Sequence, residues 1–154
     1  MKKLILRFEQ SDGCGVYYGG GVANDFIEAE RHPLPEQDGG LREWYEEHTE
    51  EGRYNFLFGF GTLAQARAWF YDWDCLESME GEGDRLKVYA VENDEDAVVV
   101  GYSQTVFRIA EAELVAEFNP TDLHHPQFHD TLYALKEAVN NLPTIKSIVD
   151  NIGF

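Results

Sequence analysis

Positive charge is what this chain has least of. Twelve Lys and Arg stand against 29 Asp and Glu, a net charge of −17 over 154 residues, and so anionic a molecule repels phosphate backbones. Direct binding of DNA or RNA is excluded on that ground. Cysteine is nearly absent: Cys14 and Cys75 stand far apart with no CxxC pair, which excludes a disulfide scaffold and fits a reduced, cytoplasmic protein. No apolar run approaches the ~18 residues a membrane-spanning helix needs. The start, "MKKLILRFEQ", has three apolar residues before Arg7, too few for a signal-peptide core. There is no GxSxG elbow, no internal repeat and no low-complexity tract.

What is present is apolar enough to fold. Hydrophobic residues make up 44% and aromatics 14% of the chain, well above a disordered composition. "KLILRFEQ" reads as a first strand. "SDGCGVYYGGG", with five glycines in 11 residues, reads as a loop. "VANDFIEAER" suits two helical turns with Phe26 and Ile27 inward, stopped by the prolines of "HPLPEQDGG". In "LREWYEEHTEE", Leu41, Trp44, Tyr45 and His48 recur at helical spacing opposite a row of Glu. Tyr54, Phe56 and Phe58 then alternate as an aromatic strand face.

Gly59-Phe60-Gly61-Thr62 joins that strand to a helix capped by Thr62, with Leu63, Ala66, Trp69, Phe70, Trp73 and Leu76 on one stripe. Its Gly-x-Gly spacing, without a following Lys, reads as a strand-to-helix turn rather than a phosphate cradle. Beyond "EGEGD", strands are expected in "RLKVYAV", "AVVVGYS" and "QTVFRI", while "AEAELVAEF" fits helix or strand. Phe128, Leu132, Leu135, Val139 and Leu142 give a helix ending near Pro143, with a short helix in "TIKSIVDNI". The order predicts an α+β fold in a single domain, a mixed or antiparallel sheet flanked by helices. Residues 1–120 form the core, and 121–154 add C-terminal helices packed on it.

Chemistry-bearing clusters are few. Asp122, His124, His125 and His129 crowd one stretch, but Pro126 turns the rings apart and no fourth ligand completes a set, so no metal is expected. Carboxylate pairs such as Asp72 with Asp74, or Glu111 with Glu113, are uninformative in so acidic a chain. The charge itself is lopsided. Residues 25–96 hold 20 Asp and Glu against six Arg and Lys. Glu43, Glu46, Glu47, Glu50 and Glu51 crowd one helical stretch, beside Trp44 and Tyr45. That pattern predicts a docking face for a basic protein, needing no cofactor.

"LRFE", "HPLPEQD", "FGFGT" before a helix with "WF", and "VGYSQTVFR" occur in that order. The pattern resembles small uncharacterised proteins of tailed bacteriophages, with a strand Arg, an H-P-x-P-x-x-D loop and a G-x-x-Q-x-x-F strand. The resemblance spans roughly residues 4–108. It brings no member activity with it. Joined to the charge pattern, it gives the expectation of an accessory protein in the host cytoplasm whose basic partner is a host protein, such as a nucleic-acid-binding or defence factor that it inhibits. The order is also similar to that of ADP-ribosyltransferases. This second resemblance implies NAD as cofactor, held by Arg7, with Thr62 on the nicotinamide-ribose side and Gln104 where that family carries Glu. An amide cannot supply the negative charge of the Glu, so a degenerate transferase is implied.

Overall fold

Strand β1 (Lys2–Glu9) alternates only weakly because both of its faces are covered. Leu6 and Phe8 turn into the main core, and Ile5 turns the other way against Val91, Val98 and Phe107. In the computed structural model, which describes residues 1–141, β1 pairs antiparallel with β3 (Arg85–Glu92), and β3 with β6 (Glu113–Phe118). A second sheet holds β2 (Phe56–Gly59), β5 (Thr105–Arg108) and β4 (Val98–Val100) in the order β2-β5-β4. Every ladder is antiparallel, and the fold is α+β, a single domain. "AEAELVAEF", open between helix and strand in the sequence, supplies β6.

The two sheets meet where Leu6 and Phe60 exchange backbone hydrogen bonds of 2.9 and 2.7 Å. This is why Gly59 is glycine: a Cβ there would sit 2.5 Å from the Leu6 carbonyl oxygen and 2.9 Å from Ile5 Cγ2. The Gly61 N–H is taken by Gln65 Oε1 and Thr105 Oγ1, each at 3.0 Å. The turn therefore joins strand to helix, with the Phe60 and Gly61 N–H groups both engaged within the protein. Thr62 caps the helix as expected, its Oγ1 accepting from the Gln65 N–H.

The helices are shorter than the periodicity suggests, for local reasons. The stripe from Leu63 to Leu76 is two helices, α3 (Leu63–Trp69) and α4 (Trp73–Gly81), because Asp72 accepts from the Asp74 N–H and starts a new helix. Likewise Thr49 caps a second short helix, so residues 41–51 yield α1 (Arg42–Glu47) and α2 (Glu50–Arg53) with an extended His48 between them. "VANDF" forms only a 3-10 turn, and Ile27, expected inward, is half exposed. Tyr54, expected on the buried strand face, follows α2 and is exposed, its hydroxyl donating to Glu50 Oε1. Helix α5 (Phe128–Asn141) lays Phe128, Leu132 and Leu135 on the main core, and Asn140 exchanges two hydrogen bonds with the Lys2 backbone. Leu142, the stop at Pro143 and the helix expected in "TIKSIVDNI" lie outside the described residues.

Asp84 closes the turn between α4 and β3 with its carboxylate buried and Oδ2 unpartnered. Burial, then the charges of Glu82 and Asp12, pushes its pKa from 3.8 up to about 6. Between pH 3.8 and about 6 the folded state holds a proton there that the unfolded chain has lost, so the contribution of Asp84 to stability is fully present below pH 3.8 and is lost as pH rises through about 6. Asp84→Asn should flatten that slope and raise stability at pH 7 by on the order of 1–2 kcal/mol. Urea midpoints at pH 4 and pH 7 test this; no gain at pH 7 would refute it.

Candidate functional site

A concavity of about 400 Å³ opens beside the junction of the two sheets. Its walls are mostly aromatic: Tyr17 and Tyr18 from the glycine-rich loop, Phe58 and Phe60 from β2 and its turn, and Trp69 and Phe70 from α3. The segment His32–Pro35 closes one side. Trp69 Nε1 donates to the Tyr17 hydroxyl at 2.8 Å, and burial pushes that phenol well above its usual pKa. His32 accepts the Glu28 N–H at Nδ1 and donates from Nε2 to the Trp69 carbonyl, which fixes the Nε2–H tautomer.

Two polar side chains, both at least nine-tenths buried, reach this cleft: Arg7 at 9% exposure and Gln104 at 7%. Arg7 donates from Nε to Glu9 Oε2 at 2.9 Å and from Nη1 to the Phe58 carbonyl at 2.8 Å. Its Nη2 lies over Gly15, where an added Cβ would stand 3.2 Å away, and makes no hydrogen bond among the described residues. Beneath it, Glu9 also accepts from Tyr89 at 2.6 Å and pairs with Lys87 at 3.0 Å. Burial, with the Glu9 hydrogen bond second, raises the Tyr89 pKa. Gln104 Nε2 donates to the Pro33 carbonyl at 3.0 Å, leaving Oε1 without a donor among the described residues.

One carboxylate holds the mouth of the cleft together. Asp38, 2% exposed, accepts backbone N–H groups from Gly40, Tyr102 and Ser103 at 2.9, 2.8 and 2.8 Å. It thereby ties the "HPLPEQD" loop to the β4–β5 turn. Gly101 must be glycine for the same closeness, since a Cβ there would meet Leu41 Cγ at 2.6 Å and Asp38 Oδ2 at 2.8 Å.

A second concavity, about 470 Å³, runs between α1 and the β3–β4 turn. Trp44, Phe56 and Val98 form its floor, while Glu43 and Glu47 on one side face Glu95 and Asp96 on the other. Arg108 lies across it, its guanidinium 4.9 Å from the Phe56 ring centroid and its Nε bonded to the Asp96 carbonyl. Glu43, Glu46, Glu47, Glu50 and Glu51 are all exposed, and none forms an ion pair among the described residues.

Of the residues singled out in the sequence, Arg7 and Gln104 share the aromatic cleft, and Thr62 stands outside it as a helix cap. Trp44, named with the glutamates in the expected docking face, is 4% exposed because it packs edge-on against Phe56 and Phe58. Tyr45 is half-buried beneath the Arg53 guanidinium. The histidines are engaged separately: His124 with the Phe70 carbonyl, His125 with the Gln127 N–H, His129 beside Asp130. Glu9, Asp38, Tyr17 and His32 had no sequence signal of their own beyond the quoted motifs. Among the described residues, no helix is long and apolar enough to cross a membrane.

Residues 1–121 match the family described as Bacteriophage T4 Y00F protein. The chain belongs to this family. It is accordingly a phage accessory protein, as the order of its motifs suggested, and the match ends before α5. Nothing in the match bears on the likeness to ADP-ribosyltransferases. No curated protein and no solved structure matches the chain.

Proposed function

We propose that this phage protein binds a basic surface of a host protein through α1, α2 and the groove beside them. The observation that carries the reading is convergence. Glu43 and Glu47 of α1, which form no ion pair among the described residues, stand across an apolar floor from Glu95 and Asp96 of a different turn, and the exposed Glu46, Glu50 and Glu51 extend the same charge beyond the groove. A lysine- and arginine-rich patch, such as the phosphate-binding groove of a nucleic-acid enzyme, complements both the charge and the floor. Inhibition of such a factor would follow from occupying its groove. Trp44 contributes from beneath as floor, and Tyr45 supplies the more accessible aromatic edge.

Reversing Glu46, Glu47 and Glu50 together to Lys is expected to abolish capture of a basic partner from host lysate at low salt. The wild-type complex should also dissociate steeply as salt rises. A partner identified by mass spectrometry that is held equally well by both proteins, or at all salt concentrations, would refute the reading.

A second reading, an NAD-dependent ADP-ribosyltransferase-like protein without activity, is favoured by one observation: Arg7 and Gln104 line the same cleft. Among the described residues no carboxylate lines it, and Thr62 is elsewhere. This reading requires NAD to bind more tightly than its nucleoside parts.

A further inference from the structure

We infer that the aromatic cleft is a reversible binding site for a planar, uncharged heteroaromatic ring of the nucleobase class, recognised through Arg7 and Gln104. The inference stands apart from the docking reading, and it needs no catalytic carboxylate.

The walls set the shape. Tyr17, Phe58, Phe60 and Trp69 line a cavity of about 400 Å³, towards the lower end of the roughly 300–1,000 Å³ range of small-molecule sites. That suits a nucleoside better than a dinucleotide. Aromatic walls stack on any flat ring. The two buried polar groups then choose among flat rings. Arg7 Nη2 offers a donor and Gln104 Oε1 an acceptor, both without protein partners among the described residues. A ligand carrying both an acceptor and a donor on its ring edge satisfies both.

Other ligand classes fit less well. A phosphate or free carboxylate finds Arg7 already neutralised by Glu9, and no other Lys or Arg among the residues lining the cleft. An aliphatic chain or a plain aromatic ring would seal Nη2 and Oε1 away from water unpaired, which is costly. A nucleobase, or the carboxamide-bearing ring of nicotinamide, leaves neither problem.

Calorimetric titration of the whole protein with adenosine, guanosine, cytidine, uridine and nicotinamide tests this, with indole as a ring lacking the paired edge. At least one of the five should saturate with a Kd below about 1 mM and bind more tightly than indole. Gln104→Leu should then weaken it about tenfold. Tyr18→Ala should weaken it about threefold or more; that tyrosine lines the cleft at 70% exposure, so its removal leaves the fold intact and decides the matter if Gln104→Leu misfolds. Absence of saturation by all five, indole binding as tightly as the best of them, or unchanged affinity in the folded variants would overturn the inference. The charge-reversed α1–α2 protein should keep ring binding, so loss of docking alone would count only against the docking reading. NAD binding no more tightly than the best nucleoside would remove the transferase reading while leaving the ring site in place.

Discussion

Asp38→Ala is expected to lower the unfolding free energy by about 3 kcal/mol, because three charge-assisted hydrogen bonds are lost at once. Two of them cross to residues 64 and 65 positions away in the chain, so no local rearrangement replaces them. Water reaches the exposed Tyr102 side of the turn and offsets part of the loss, which keeps the figure below the sum of three such bonds. Urea unfolding followed by tryptophan fluorescence measures it. Asp38→Asn, retaining one acceptor oxygen, should fall between wild type and the alanine variant. A loss under about 1 kcal/mol would mean that the loop and the β4–β5 turn hold together without this carboxylate. The same variant should bind cleft ligands more weakly, since Pro33 and Gln104 sit on the two segments that Asp38 joins.

Glu9→Gln should cost about 3–5 kcal/mol, the usual consequence of leaving a buried charge without its partner. Its carboxylate stands between Arg7 and Lys87, with side-chain exposures of 10% and 19%. Lys87 has Glu117 at 3.7 Å in reserve, whereas Arg7 has no second carboxylate among its ion pairs in the described residues. Adding Arg7→Met to Glu9→Gln should therefore restore part of the loss by removing the stranded charge. If the double variant is no more stable than the single one, lost packing rather than lost charge balance explains the effect.

The sequence made the architecture readable wherever a residue's partners are close in the chain. Thr62 as a cap, the glycine turn after Phe58 and the long C-terminal helix all follow from local spacing. Asp72 and Thr49 were misleading because each lies inside a continuous apolar stripe, and only the competition of its side chain for a nearby N–H shows that the helix restarts there. The cleft was out of reach for a different reason. Arg7, Asp38 and Gln104 are brought together by strand pairing and loop closure over long sequence distances, and no periodicity reports that. The quoted motifs did carry the information in another form. Pro33 and Asp38 of "HPLPEQD" clasp Gly101, Tyr102, Ser103 and Gln104 of "VGYSQTVFR". The two motifs are halves of one clamp. Aromatic residues beside a charged helical row read equally as core or as anchor, and Trp44 is held by edge-on contacts with Phe56 and Phe58 while still lining the acidic groove.

The register of β1 has a consequence for how the molecule is made. Glu9 pairs with Arg85 and Lys2 with Glu92, so β1 gains a full-length ladder only once β3 has been made; until then Gly15 and Phe60 offer it single bridges. At roughly 5–20 residues added per second, that wait is roughly 4–18 s. An apolar strand idle for so long invites misassembly with other nascent chains. Lys2, Lys3 and Arg7 concentrate a quarter of the chain's 12 basic residues in those first positions, where like charges keep copies of the waiting strand apart.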